Sequence, residues 1–157
     1  MDSIEWDDRL TVGVEEVDNQ HKEMIRIANV LFTSINNGED KQYIRDIVDE
    51  LRMYTEYHFE SEQNHMRRSK YPRLDEHIEL HDELVAKTKA IKLAIFRNDM
   101  DAASVKTYVK DWVMEHIIYH DLDFAKFLQD VKTADQAKAE EEDREADEEQ
   151  ARLRDGM

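Results

Sequence analysis

The sequence predicts an all-α protein: an antiparallel up-down-up-down four-helix bundle with an extended N-terminal arm and an acidic C-terminal tail. Four long segments repeat apolar residues at spacings of three and four, the pattern of a helix with one buried face. The 157 residues include only three glycines and one proline, too few for the many tight turns of a sheet protein. Short polar loops between long amphipathic helices make successive helices antiparallel neighbours.

The N-terminal half of the chain divides into an arm and two helices. Residues 1–17 carry apolar side chains without helical spacing, which favours an extended arm laid across the bundle; a strand would need a partner, and none is evident. The first helix is predicted to begin with Asp18 as its N-cap and to end at the Asn-Asn-Gly of residues 36–38. The second is predicted to run from its N-cap, Asp40, to about Arg68.

The C-terminal half adds two helices and a tail. Pro72 fits the first turn of the third helix, which is expected to end near Asn98, and Asp101 opens the fourth. The bundle is therefore expected to occupy residues 1–132. Residues 133–157 hold ten Asp or Glu against four Lys or Arg, a net charge of −6, with one large aliphatic residue besides the terminal methionine. A helical extension, a disordered tail and a linker all fit this composition.

Composition limits the function classes that fit this chain. The formal charge of −16 repels phosphate backbones, so nucleic-acid binding is not expected. With no cysteine, disulfides, iron–sulfur clusters and thiolate zinc sites are excluded. No stretch approaches the roughly 18 apolar residues of a membrane span, and residues 1–8 are acidic, unlike a cleavable leader. We expect a cytoplasmic protein.

Histidines occur in the apolar stripes of all four helices. One such histidine is usually a core residue whose ring nitrogens form hydrogen bonds, but several unpartnered imidazoles in one bundle would be costly, and a metal removes that cost. His58 and Glu62 are four residues apart, as are His77 and His81, so each pair projects from one helical face. Imidazole with carboxylate is a ligand set for iron and similar divalent metals.

The fourth helix leaves two candidates for its second ligand. Asp121 follows His116 by five residues, which in an ideal helix turns it about 140° away. Both can reach one centre only if the helix contains a π-bulge or the aspartate reaches around from the flank. His120 lies at the easier spacing of four, so spacing alone leaves Asp121 and His120 both open.

Other metal and hydrolase motifs do not fit. In the segment His77–Ile78–Glu79–Leu80–His81 the glutamate is one position later than in a zinc-protease helix. A ferritin-like oxidase needs two Glu-x-x-His motifs, and this chain has one. There is no nucleophile elbow for a serine hydrolase.

The motifs in their order along the chain resemble those of the bacterial hemerythrins over roughly residues 4–130. They are Trp6, the stretches at residues 12–14, 17–21 and 58–62, Met66, Tyr71 with Pro72, His77 with His81, and Trp112 through His116 to Asp121. The resemblance implies two non-haem iron ions with a bridging oxo or hydroxo group, and dioxygen as the ligand. It implies that one iron is held by His77, His81 and His116. The other iron is then held by His21 and His58, and the carboxylates of Glu62 and Asp121 bridge the two ions.

The resemblance also places the oxygen site at the iron with two histidines, and leaves His65 and His120 as non-ligands. Four neighbouring apolar residues are candidates for the oxygen pocket, although core packing is their default role: Phe59, Trp112, Val113 and Ile117.

The leading functional hypothesis is reversible dioxygen binding for transport, storage or sensing. A di-iron enzyme (a peroxidase, an oxidase or a nitric-oxide-reducing site) and the sensory domain of a signalling protein are the alternatives. Metal storage or a purely structural bundle is a third class. Dioxygen is the expected partner; a signalling partner or fused output domain is possible, and the oligomeric state is open.

Overall fold

A computed structural model describes residues 3–98 and 101–156, without the side chains of residues 102, 118 and 119. The described residues are all-helical and contain no strand. They form helices α1 (Glu15–Asn36), α2 (Lys41–Arg68), α3 (Leu74–Phe96), α4 (Ala102–Glu115) and α5 (Leu122–Asp155), with a π-helical turn (His116–Asp121) between the last two. The predicted four-helix bundle is confirmed: α1 packs against α2 and α4, and α2 packs against α3.

Two of the predicted helix starts are confirmed by their caps. The Asp40 carboxylate accepts a hydrogen bond from the Tyr43 N–H, and the Asp101 carboxylate accepts one from the Ser104 N–H. Such bonds satisfy amide groups that the first helical turn leaves without a partner. The first helix ends as predicted, since Gly38 follows it with φ +67°, a conformation that glycine adopts without steric cost.

Two other predicted boundaries are wrong. Helix α1 begins at Glu15 with Val14 as its N-cap, so Asp18 lies inside the first turn. The Asp18 carboxylate instead accepts hydrogen bonds from the N–H groups of Val12 (2.7 Å) and Gly13 (3.1 Å). Pro72 lies in a turn before α3, which begins at Leu74.

Residues 3–14 of the N-terminal arm contain no regular structure apart from a 3₁₀ turn (Asp8–Leu10), and they pack on the bundle. Ile4 and Leu10 are buried in the hydrophobic core, and Trp6 packs against it partly buried. Ile4 donates its N–H to the side-chain oxygen of Asn29 and accepts from the Asn29 amide nitrogen, both at 2.8 Å. Hydrogen bonds between the Ile4 backbone and the Asn29 side chain therefore hold the arm on α1 in addition to its apolar contacts.

Replacing Asp18 with alanine should destabilise the fold by about 1–3 kcal/mol, because two amide groups, one of them at the buried Val12, lose their acceptor. Urea denaturation measures the loss. The exposed Asp8→Ala variant is the control and should change the free energy of unfolding little. Equal values for the two variants would contradict the anchoring role of Asp18.

The chain divides into two compact units, residues 1–125 and residues 126–157. In the second unit the chain stays helical to Asp155, and residues 129–156 are exposed. Ion pairs one turn apart join Arg144 to Glu141 and Arg152 to Glu149. The tail was predicted to be a helical extension, a disordered segment or a linker, and in the structure it is helical. The predicted domain boundary at residue 132 stays a prediction.

Candidate metal centre

Seven polar side chains from all four helices of the bundle meet in its interior. Each is at most 5% exposed, and they are His21 on α1, His58 and Glu62 on α2, His77 and His81 on α3, and His116 and Asp121 on the π-helical turn. These are the seven residues that the resemblance implied as metal ligands. Polar groups are buried at this density only when something compensates the lost hydration.

The ligand atoms form two overlapping clusters in the described part of the chain, each with atoms within 4.8 Å of one another. One cluster contains His21 and His58, and the other contains His77 and His81. Glu62, His116 and Asp121 belong to both. Shared carboxylates between two groups of imidazoles are the arrangement expected of two metal positions with bridging ligands.

The π-helical turn explains how Asp121 joins His116. Hydrogen bonds in a π-helix join residues five apart, so His116 and Asp121 lie on one face despite their spacing. Their side chains approach to 3.1 Å, from Nε2 of His116 to Oδ2 of Asp121. His120 is half-buried and belongs to neither cluster; its ring centroid lies 6.4 Å from that of His116. The sequence left two ways for Asp121 to reach the same centre as His116, and the structure contains the first of them, a π-bulge.

Both carboxylates of the centre are ionised. Burial raises the pKa of Glu62, but contacts with His21, His58 and His77 outweigh it and lower the pKa well below the usual value. Burial and the charge of Glu62 raise the pKa of Asp121, yet His116 and His21 lower it more strongly. Two negative charges thus lie in a buried site, and such a site favours cations.

The histidines differ in protonation. Burial lowers the pKa of His21, but the carboxylates of Asp121 and Glu62 outweigh burial and raise it to about 10. The same opposing effects raise the pKa of His77 to about 9. For His81, burial prevails and lowers the pKa to about 4. Without a metal, protons on His21 and His77 thus supply part of the positive charge that the carboxylates require.

Loading the metal-free protein with ferrous ion at pH 7 should therefore release protons, about two per chain, because metal and proton compete for the same ring nitrogens. His21 and His77 are protonated at pH 7, below their pKa values of about 10 and 9. The release should fall as the pH rises through this range. A pH-stat titration measures it, and loading at pH 7 without proton release would contradict this protonation state.

Buried polar atoms without a hydrogen-bond partner test whether a metal fits. In the described part of the chain they include Nε2 of His21, His58, His81 and His116, and both carboxylate oxygens of Asp121. Some lie close together, such as His21 Nε2 and Asp121 Oδ2 at 2.7 Å, but they are not aligned for a hydrogen bond. Buried polar atoms that converge without hydrogen-bond partners are what a bound cation satisfies. The donor set fits a pair of metal ions.

The four apolar residues predicted near the ligands are all buried in the hydrophobic core. The Phe59 ring stacks on the His81 imidazole, with centroids 3.8 Å apart and an angle of 5° between the planes. It also lies 5.0 Å from the His116 ring and 6.4 Å from that of Trp112. Val113 and Ile117 are fully buried. Phe59 therefore contacts histidines that the resemblance assigns to the three-histidine iron.

Sequence reasoning missed the hydrogen-bond partners of the candidate ligands. Gln20 contacts His58, and Gln63 contacts His81, each through the ring nitrogen Nδ1. Gln20 is adjacent to His21 in sequence, but its partner is 38 residues away on another helix. Helical spacing carries no signal for such a contact. His65, predicted as a non-ligand, contacts Glu16 at the surface.

Comparison with known proteins identifies the family. The model of the hemerythrin HHE cation-binding domain matches residues 12–128, a range that contains all seven clustered residues. The chain belongs to the hemerythrin family. It is 27% identical to the bacteriohemerythrin of Clostridium acetobutylicum over 124 residues, which covers 76% of this chain and 96% of the relative. It is 25% identical to the bacteriohemerythrin of Pseudomonas aeruginosa (strain PAO1) over 117 residues, 74% of this chain and 76% of the relative.

A further relative and a solved structure are also similar to this chain. The myohemerythrin of Theromyzon tessulatum is 26% identical over 113 residues, 72% of this chain and 83% of the relative. A crystal structure of wild-type hemerythrin superposes with a TM-score of 0.70 at 24% identity, over 78% of this chain and 95% of that one, which establishes the shared fold. None of the helices in residues 3–98 and 101–156 combines the length and apolar character required to cross a bilayer.

Proposed function

We propose that this hemerythrin-family chain binds dioxygen reversibly at a non-haem di-iron centre. The observation that carries the proposal is the buried convergence of five imidazoles and two carboxylates, most of which have polar atoms without a hydrogen-bond partner. Two ferrous ions held by these residues would supply the two electrons that dioxygen binding requires. Transport, storage and sensing all depend on this one reversible step.

Each clustered residue has a distinct role in the proposed site. His77, His81 and His116 would hold one iron, and His21 with His58 the other. Glu62 and Asp121, which belong to both clusters, would bridge the two ions. An oxo or hydroxo group from solvent would complete the proposed set. The position held by His21 and His58, with one histidine fewer, would be the one available to dioxygen.

Burial of the site supports reversible binding rather than irreversible oxidation. Six of the seven candidate ligands are at most 1% exposed, and His77 is 5% exposed. Phe59, Trp112, Val113 and Ile117 belong to the surrounding apolar core, and we propose that they limit access of water. An apolar shell controls solvent access at a metal site and so slows the loss of reduced oxygen species to water. Five neutral imidazoles also stabilise ferric iron less than a carboxylate-rich site does.

Iron analysis combined with absorption spectroscopy tests the proposal. The purified chain should contain two irons, and the reduced protein should develop a visible absorption band in air that disappears under vacuum over repeated cycles. Steady consumption of peroxide or nitric oxide with a reductant, without a stable oxygenated form, would contradict oxygen binding and favour a di-iron enzyme. Two zinc ions with no iron in iron-replete cells would contradict it as well.

A further inference from the structure

Only two of the five clustered histidines have a side-chain partner on Nδ1 within the described residues. The Gln20 amide oxygen lies 2.8 Å from Nδ1 of His58, and the Gln63 amide nitrogen lies 2.8 Å from Nδ1 of His81. Nδ1 of His21 and Nδ1 of His116 are buried without a partner. The partner on one ring nitrogen decides which nitrogen of a neutral imidazole keeps the lone pair that a metal needs.

A chain of hydrogen bonds fixes the orientation of the Gln20 amide. The Ser61 hydroxyl donates to the Glu16 carboxylate at 2.8 Å, so its oxygen is free to accept from the Gln20 nitrogen at 3.0 Å. The same nitrogen lies 3.5 Å from the Glu16 carboxylate, which accepts and cannot donate. The amide nitrogen therefore faces Ser61 and Glu16, and the amide oxygen faces His58.

This orientation determines where the His58 proton lies. The amide oxygen can only accept, so Nδ1–H of His58 donates to it. Nε2 of His58 then keeps its lone pair, and it lies 3.3 Å from Glu62 Oε2 without a hydrogen bond. We propose that Gln20, oriented by Ser61 and Glu16, is a positioning residue that holds His58 in the tautomer able to bind metal. The metal-binding part of this inference rests on the proposed role of His58 as a ligand.

The hydrogen-bonded chain joins two helices and reaches the surface. Glu16 and Gln20 lie one turn apart on α1, and Ser61 lies close to His58 on α2. The Glu16 side chain is 56% exposed, and its second oxygen lies 3.1 Å from Nε2 of His65 on α2. Partners from both helices therefore hold the Gln20 amide in place, as expected of an outer-shell group that orients a ligand.

Gln63 provides an internal comparison. As placed, its amide nitrogen faces Nδ1 of His81, which puts the His81 proton on Nε2, where a metal would bind. Metal binding by His81 requires the amide to turn so that its oxygen faces the ring. No second hydrogen bond fixes the Gln63 amide in the described part of the chain, so it can turn, whereas Gln20 is held by two neighbours.

The test is the Gln20→Leu variant of the full-length chain, with Gln42→Leu as control. Gln42 is an exposed glutamine on α2 whose nitrogen donates to Asp46. Nitrogen NMR of the metal-free protein should find the proton of neutral His58 on Nδ1 in the wild type and in the control. In Gln20→Leu it should be shared between the ring nitrogens or shift to Nε2. Gln20→Glu, which keeps an oxygen acceptor, should restore the wild-type tautomer.

Iron titration is the second measurement. Affinity at the two-histidine position should fall about 10–100-fold in Gln20→Leu, so that chains with one iron accumulate. Ser61→Ala, which removes one support and leaves Gln20 in place, should produce a smaller change in the same direction. The proposal would be overturned if Gln20→Leu kept the His58 proton on Nδ1 and bound both irons with unchanged affinity. An equal loss of iron affinity at both positions would overturn it as well. A wild-type chain that binds two irons but no dioxygen would overturn the proposed function alone.

Discussion

Replacing Glu62 with glutamine should leave the chain without either iron. Glu62 belongs to both clusters, and its carboxylate oxygens lie 2.6 Å from His77, 3.1 Å from His81, and 3.3 Å from His58. An amide of the same shape removes the negative charge and presents one neutral oxygen in place of two anionic ones. Because the change affects both positions directly, affinity should fall by more than the roughly 10–100-fold typical of an outer-shell change.

The exposed Glu60→Gln variant on the same helix is the matched control. It makes the same change of charge two residues away, so it should retain two irons and the oxygenated spectrum. Iron per chain after dialysis against a weak chelator separates the two variants, and circular dichroism verifies that both are folded. Two tightly bound irons in Glu62→Gln would contradict a bridging role for this carboxylate.

The helices were predictable because their signals are local. The N-caps Asp40 and Asp101 and the end of α1 before Gly38 lie where the sequence predicts them. The predicted N-cap at Asp18 was wrong because a buried aspartate before an apolar stripe has the same local pattern as a cap. Its actual acceptor role, toward Val12 and Gly13, depends on the path of the arm, which no periodicity encodes.

The candidate site was predictable where its residues repeat at helical spacing. His58 with Glu62 and His77 with His81 needed only the period of an α-helix to be placed on shared faces. Asp121 was different, because its inclusion depends on a local change of helix type that leaves no mark on the hydrophobic pattern. Contacts between helices, such as that of Gln20 with His58, depend on tertiary packing and could not be read from spacing.

Replacing Asp121 with alanine should also cost the centre its iron, whereas His120→Ala should retain both ions. Asp121 is fully buried, and its Oδ2 lies 2.7 Å from His21 and 3.1 Å from His116, residues of two different helical segments. His120 is half-buried, lies outside both clusters and is one residue closer to His116 in sequence. The two variants truncate adjacent side chains, so iron content and the oxygenated spectrum distinguish ligand from neighbour. Iron loss in His120→Ala with retention in Asp121→Ala would reverse the assignment.

A double variant tests whether the π-helical conformation of the backbone is required to bring the carboxylate to the centre. His120→Asp with Asp121→Ala moves the carboxylate to the α-helical spacing of four from His116 while keeping its chemistry. In the π-helical turn Asp121 belongs to both ligand clusters and residue 120 to neither, so we expect that a carboxylate at position 120 does not reach the centre. The double variant should therefore remain without iron, like Asp121→Ala alone. Recovery of two irons by the double variant would contradict this expectation. It would show that the π-helical spacing of five is not required to bring a carboxylate of this segment to the centre.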